Sequence, residues 1–219
     1  MSDGFEAMVD AAQPFFSQLR AQNTKDWFTP RKDHYISEIR KPAELFATLL
    51  AEDLARLTGE AHNAKVFRIY RDVRFSKDKS PYNAHLHILW STQAAAAPSW
   101  FFALNPDSIW LGMGLLGLSG PMLTRYRQFV DAEGDALAQH LDALADAHGT
   151  QLSNFGPEPL KRVPKPYDQD HPQADLLRRK GLALGADLPA TWRETGLTRA
   201  TRHLAEAHLP LWRLVADRL

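Results

Sequence analysis

The chain has 219 residues, 44% hydrophobic and 24% charged, which fits a single globular domain and does not fit a disordered segment. Its 26 basic and 26 acidic side chains cancel, so no global attraction to nucleic acid is expected, and the absence of Cys excludes disulfides, thiolate metal sites and thiol nucleophiles. No apolar run approaches the ~20 residues a membrane helix requires, and the opening residues resemble no signal peptide, so a cytoplasmic protein without a membrane role is the expectation.

The first segment, Phe5 to Arg20, spaces Met8, Ala12, Phe15, Phe16 and Leu19 along one helical face, and Pro14 predicts a kink or a second start within it. Residues 23–26 read as a turn. Thr29 and Pro30 then predict a helix start, as N-cap and first helical residue, with the helix running to about Arg40. Pro42 predicts an interruption, and a further helix carrying Leu45, Phe46, Leu49, Leu50, Leu54 and Leu57 ends at Gly59.

The period changes to two from Val66 to Ser76, with Phe67, Ile69, Val73 and Phe75 on one parity and Arg68, Tyr70, Asp72 and Arg74 on the other. That alternation predicts a strand with one apolar and one charged face. Further strands are expected at 84–91, 99–104 and 108–113, the last two joined as a hairpin through Asn105-Pro106-Asp107. A long helix at 121–148 follows, weakened at Gly134, then a proline-rich irregular crossing at 150–173. C-terminal helices at 173–219 complete the chain, the last from about Thr198 and bent at Pro210. Ala94–Ala97 is the one low-complexity stretch. Helices, then strands, then helices predict an α+β single domain, with a mainly antiparallel sheet at about 65–114 between N-terminal and C-terminal helices.

Charge is unevenly placed. Residues 65–80 carry six basic side chains against Asp72 and Asp78, whereas residues 131–146 carry five acidic side chains and no Lys or Arg. Arginine presents a planar fork that grips phosphate or carboxylate through two bonds, so Arg68, Asp72 and Arg74 on one strand face, with Lys77 and Lys79 in the next turn, form a candidate anion site. The competing reading is a salt-bridge ladder in which Asp72 pairs with Arg68 or Arg74. Parity places Arg71 on the apolar face, which predicts a structural role against a carboxylate or carbonyl.

Residues 160–180 form a second polar cluster, with Arg162 before and Arg178 after Asp170 and His171. An Asp–His pair suits general acid–base work, and Tyr82 is a third candidate for the reacting end. Alternatively Asp170 caps a helix opened by Pro172, and His171 is an ordinary surface residue. His85 and His87 share a strand face, but no third ligand completes a metal site, and no metal or cofactor is expected. Gly112-x-Gly114-x-x-Gly117 matches a dinucleotide fingerprint only superficially: no βαβ unit surrounds it, so a turn or close backbone packing explains it better.

The run Arg68-Ile69-Tyr70-Arg71-Asp72-Val73-Arg74-Phe75-Ser76-Lys77-Asp78-Lys79-Ser80-Pro81-Tyr82 resembles the signature of DUF2461, a family of conserved hypothetical proteins. The resemblance extends to Asn23, Trp27-Phe28, Gly112-x-Gly114, Leu160-x-Arg162-x-Pro164, Tyr167-Asp168-x-Asp170-His171-Pro172 and Leu176-Leu177-Arg178-x-Lys180, and it departs from the family pattern at Leu115-Leu116, Pro166 and Gly181. It implies no established activity, substrate or cofactor.

Two functions of different class follow. In the first, the chain binds a small anionic ligand in a polar site built from residues 68–82 and 160–180, with or without catalysis. In the second, it is a protein–protein or assembly module, homo-oligomeric if the arginine-rich strand meets the acidic helix of another copy. Nucleic acid is the least expected partner.

Overall fold

The computed structural model describes residues 3–94, 97–153 and 155–219; Met1, Ser2, Ala95, Ala96 and Asn154, and with them the middle of the alanine stretch, lie outside the described residues. The architecture is α+β, with one antiparallel sheet flanked by helices from both ends of the chain. Strands β1 (Asn63–Val66), β2 (Leu86–Ser91), β3 (Ser99–Leu104), β4 (Ile109–Leu115), β5 (Gln151–Leu152) and β6 (Leu182–Asp187) lie in the order β1-β2-β3-β4-β6-β5. The predicted hairpin is present, closed by the Asn105 N–H on the Ser108 carbonyl at 2.9 Å.

Side chains alternate across a strand, so one face of this sheet is apolar and covered. Leu86, Ile88 and Trp90 of β2, Trp100, Phe102 and Leu104 of β3, and Leu111 and Met113 of β4 are all buried on it. They pack under α1 (Glu6–Ala21), α4 (Lys41–Thr58) and α9 (Leu197–Arg218). Two indoles tie the layers together: Trp90 Nε1 donates to the Ala47 carbonyl of α4 at 2.8 Å, and Trp212 Nε1 of α9 donates to the Pro98 carbonyl at 2.7 Å. Both bonds satisfy a polar atom that the core would otherwise strand.

Several sequence expectations give way to the structure. Pro14 lies on the exposed face of α1 and begins no second helix, since α1 runs on through it. The helix start is Thr24, not Thr29: Thr24 is extended and its hydroxyl accepts from the Trp27 N–H, capping α2 (Lys25–Phe28), whereas Thr29 has helical angles and opens a 3₁₀ turn. Pro42 does not break the helix either. After α3 (Lys32–His34) the chain makes a π-helical turn at Tyr35–Arg40 and continues as α4. A wider turn directly ahead of a proline accommodates its missing N–H and bulky ring.

The predicted long helix divides at Gly134 into α5 (Gly120–Ala132) and α6 (Gly134–His148). The span 173–219 is not all helical, since α7 (Ala174–Arg178) is followed by β6 before α8 (Trp192–Thr195) and α9. The small residues of β6 hid its alternation.

The largest correction concerns Val66–Ser76. Only β1 is strand there. The Phe67 N–H still bonds the His87 carbonyl at 2.9 Å, but the chain then leaves the sheet and pairs with itself through one bridge, Tyr70 to Tyr82. Alternation of side chains is necessary for a strand, but the backbone also needs a neighbour along its length, and here the pairing is confined to the Tyr70–Tyr82 bridge.

Three contacts hold this excursion on the N-terminal helices. Arg40 donates from Nη1 to the Phe67 carbonyl at 2.7 Å. The side-chain amide of Asn23 donates to the Tyr82 carbonyl at 2.9 Å and accepts from the Tyr82 N–H at 3.1 Å. The Tyr82 ring lies 4.3 Å from that of Phe28, which Tyr70 approaches edge-on at 6.1 Å. Replacing Asn23 by Ala removes two part-buried hydrogen bonds worth about 1 kcal/mol each. Thermal or urea denaturation of Asn23→Ala is expected to show a loss of about 2 kcal/mol, or roughly 4–8 °C in Tm for a chain of this size. An unchanged midpoint would mean that the excursion is held by its aromatic contacts alone.

Candidate functional site

Among the described residues the second face of the sheet carries no helical layer. Phe67, His87 and Leu89, Phe101 and Ala103, Trp110 and Gly112, and Ala183 and Gly185 share it by strand parity and register. It is apolar yet only half-buried, and it forms the floor of a trough. The central cavity has a volume of about 310 Å³ and is walled by Phe67, Phe101, Trp110 and Phe155, with His87, Asn105, Ser108 and Ser153 as its few polar contributors. Phe155 overhangs from the loop after β5, 65% exposed, with its ring 6.5 Å from that of Phe101.

The floor is shaped by two glycines. Gly112 and Gly185 are register partners on β4 and β6. A Cβ at Gly112 would stand 2.0 Å from Trp110 Cη2, and one at Gly185 would stand 2.2 Å from Trp110 Cζ2. The indole therefore lies over both glycines. Backbone is equally close, with the Leu184 carbonyl 2.3 Å from a Cβ at Gly112 and the Leu182 carbonyl 2.2 Å from one at Gly114. Close strand packing accounts for the glycine motif at 112–114.

At the β1–β2 end the trough opens into a polar cavity of about 470 Å³. It is lined by Arg68, Tyr70, Arg71, Asp72, Asn83, His85 and His87, and shares Phe67, His87 and Phe155 with the apolar cavity. The imidazoles of His85 and His87 stack, with centroids 3.8 Å apart and planes inclined by 22°. Burial, reinforced by the Arg71 charge, pushes the His85 pKa below its ordinary value, and burial together with the His85 ring pushes His87 down to about 4. Both rings are thus neutral near pH 7, and each offers one donor and one acceptor. No cluster of three or more His, Asp or Glu side chains placed to hold a metal occurs among the described residues.

The arginine-rich run divides its labour. Arg71 meets the Asp78 carboxylate and the Ser80 carbonyl, the carboxylate-and-carbonyl environment expected for it. The Ser80 hydroxyl and N–H, and then Arg71, hold Asp78 well below the usual carboxylate range. Arg74 forks onto Asp72 through Nε at 2.9 Å and Nη2 at 2.6 Å, the pairing of the salt-bridge alternative, and does not line the cavity. Lys79 Nζ caps the Val73 carbonyl at 3.0 Å. Lys77 has no side-chain partner among the described residues. Nor does the Arg68 guanidinium, which lines the cavity, make a hydrogen bond or ion pair with a described side chain, although after Arg74 its charge also helps to lower the Asp72 pKa. Tyr82 is buried in the aromatic cluster with Phe28 and Tyr70, which makes it a packing residue.

The second predicted segment reaches the trough only in part. Arg179 and Lys180 line a recess at its far end, and Arg179 Nη1 donates to the Ser153 carbonyl at 2.8 Å, steadying the loop that carries Phe155. Arg162, Asp170, His171 and Arg178 do not line it. His171 pairs with Asp131 of α5 and not with Asp170: its Nδ1 accepts from the Gln173 N–H at 3.0 Å, so Nε2 carries the proton offered to Asp131 at 3.1 Å. Arg178 pairs with Asp175, and Arg162 and Asp170 are exposed.

A family model described as "Conserved hypothetical protein (DUF2461)" matches residues 11–213. The chain belongs to the DUF2461 family. A search among curated proteins found no match. The match spans both the strands that make the trough and the excursion at 68–82, of which Arg68, Tyr70, Arg71 and Asp72 line the polar cavity.

Sequence reasoning did not single out Phe101, Trp110 or Phe155 as lining a cavity, and considered His85 and His87 only for a metal role, which it set aside for want of a third ligand. The parity of His85, His87 and Leu89 was a usable signal for an open sheet face; nothing in the sequence marked Phe155.

The histidine environment predicts a pH dependence. With its folded pKa near 4, His87 is neutral in both states above pH 6.5 and contributes nothing there. As pH falls below 6.5 the unfolded chain takes up the proton first, so stability is lost progressively until about pH 4. After allowance for partial solvent access the loss attributable to this group is about 2 kcal/mol. His62, His85 and His208 are shifted in the same direction by burial, so the informative comparison is with His87→Asn. Urea midpoints between pH 7 and 4.5 are expected to fall less steeply for that variant; parallel curves would show that the His87 ring is solvated.

Proposed function

We propose that this protein binds a small anionic ligand at the polar end of the trough. The observation that carries the reading is Arg68: it lines a cavity of about 470 Å³ beside two histidines, and its guanidinium is not spent on any described side chain. Arginines whose charge is already answered by Asp72 or Asp78 stabilise the excursion, whereas Arg68 has its fork available for a carboxylate or phosphate. The surrounding charge favours the same ligand sign, since residues 65–80 carry six basic side chains against two acidic ones. Asn83 and the neutral imidazoles of His85 and His87 add hydrogen-bonding groups that can orient a ligand without repelling it. Binding, and not a named reaction, is the reading, because the acid–base candidates His171 and Asp170 lie outside this cavity.

One observation favours the alternative of a protein-interaction module. Phe75, at the tip of the excursion, is 95% exposed with the Arg74 guanidinium 5.9 Å from its ring. An aromatic and an arginine side by side on a protruding loop suit a partner surface. If that reading holds, Phe75→Ser abolishes any self-association seen by light scattering, and a strict monomer at high concentration removes its homo-oligomeric form.

The anion reading is tested by thermal shift with phosphate, short mono- and dicarboxylates and nucleotides, run on the wild type and on Arg68→Ala and Arg74→Ala. A ligand bound only by the native state raises Tm with its occupancy. The expected pattern is a shift of a few degrees that Arg68→Ala removes and Arg74→Ala keeps. A shift lost equally in both variants, or present in neither the wild type nor the variants, contradicts it.

A further inference from the structure

The polar cavity does not end at its own walls. Phe67, His87 and Phe155 are shared with the apolar cavity, so the two volumes, about 470 and 310 Å³, adjoin across these three side chains. The apolar part crosses the sheet from β2 to β6. Three strand spacings of ~4.8 Å make that span about 14 Å. Along it the ligand would meet Phe101, Ala103 and Trp110 below and Phe155 above. A ligand that is anionic throughout would leave this surface wetted, and a wholly apolar ligand would leave the Arg68 fork unanswered.

We infer that the ligand is amphipathic: a single acidic head held at Arg68, joined to an apolar body that lies in the trough between Trp110 and Phe155. This rests on the anion-binding reading and gives it a substrate class, namely medium-chain or aryl-substituted carboxylates or phosphate monoesters.

The polarity of the pose follows from magnitudes. At the far end the recess beside Arg179 and Lys180 has a volume of only about 20 Å³, against about 470 Å³ at the polar end, so an acidic head is far better accommodated beside Arg68. Arg179 is also engaged with the Ser153 carbonyl. The β1–β2 end has both the room and the uncommitted charge. Small side chains make the space for the body: Ala103 and Ala183 stand on the floor, and Gly112 and Gly185 let the Trp110 indole lie flat instead of standing into the cavity. Burial of apolar area supplies affinity in proportion to chain length, at ~0.8 kcal/mol per methylene, so each added carbon is expected to tighten binding roughly fourfold until the trough is full.

Calorimetric titration of the whole chain with acetate, inorganic phosphate, decanoate, decyl phosphate and decanol tests this. Decanoate or decyl phosphate is expected to bind at least tenfold more tightly than acetate, phosphate or decanol, and comparing the two long ligands identifies the head group. Arg68→Ala is expected to reduce long-chain affinity at least tenfold. Ala103→Phe fills the floor and should abolish long-chain binding while leaving any binding of small anions. Phe155→Ser, a change at an exposed loop position, provides the same test without risk to the core and should weaken the long ligands alone. If phosphate or acetate binds as tightly as its long-chain counterpart and neither trough variant matters, the amphipathic inference is overturned and the anion reading stands. If decanol matches decanoate and Arg68→Ala is silent, the anion reading falls and this inference with it. Absence of binding by all five probes overturns both.

Discussion

Two side-chain amides anchor irregular parts of this chain, and the candidate site depends on the first of them. Asn23 supplies a donor and an acceptor to the Tyr82 backbone, and Gln169 does the same for Val163, with its Oε1 accepting from the Val163 N–H at 3.1 Å and its Nε2 donating to the carbonyl at 2.8 Å. Each amide imitates one rung of a ladder. An irregular segment packed against a protein surface must answer its N–H and C=O groups somewhere, and here it does so without becoming a strand. The excursion at 67–83 is thereby fixed on the N-terminal helices, where it forms the polar wall of the trough instead of extending the sheet.

The sheet imposes the second condition. Helices α1, α4 and α9 cover one face, and the other is left to loops and to its own side chains. An uncovered apolar face exposes a protein to aggregation unless its area is limited. In this fold the limit comes from folding large groups down onto small ones: Trp110 lies over Gly112 and Gly185, and Phe155 reaches back over Phe101. What remains open is a trough with room for a ligand body, bounded at one end by charge.

The balance of helices and antiparallel strands was legible in the sequence because period and turn chemistry agree there, as at the hairpin through Asn105-Pro106-Asp107. The excursion was not. Residues 66–76 alternate as a strand would, and only the missing neighbour, a long-range property, prevents them from being one. Strand β6 was hidden for the opposite reason: Leu182-Ala183-Leu184-Gly185-Ala186 carries little β-branched or polar contrast, because its outer positions must be small to admit Trp110. For the site, Arg68 and Asp72, which the sequence singled out, line one cavity, but charge alone could not say which arginines are already answered. Arg74 and Arg71 pair with carboxylates two and seven residues away; Arg68 forms no such ion pair. The pairing of His171 with Asp131 instead of its neighbour Asp170 likewise depends on where α5 packs.

The most direct test of the account is a crystal structure of the protein soaked with decanoate. The account predicts difference density for the chain along the sheet face between Trp110 and Phe155, with the carboxylate within hydrogen-bond distance of the Arg68 guanidinium. Density on another surface, or a trough left to water with Arg68 turned onto a protein carboxylate, would contradict it.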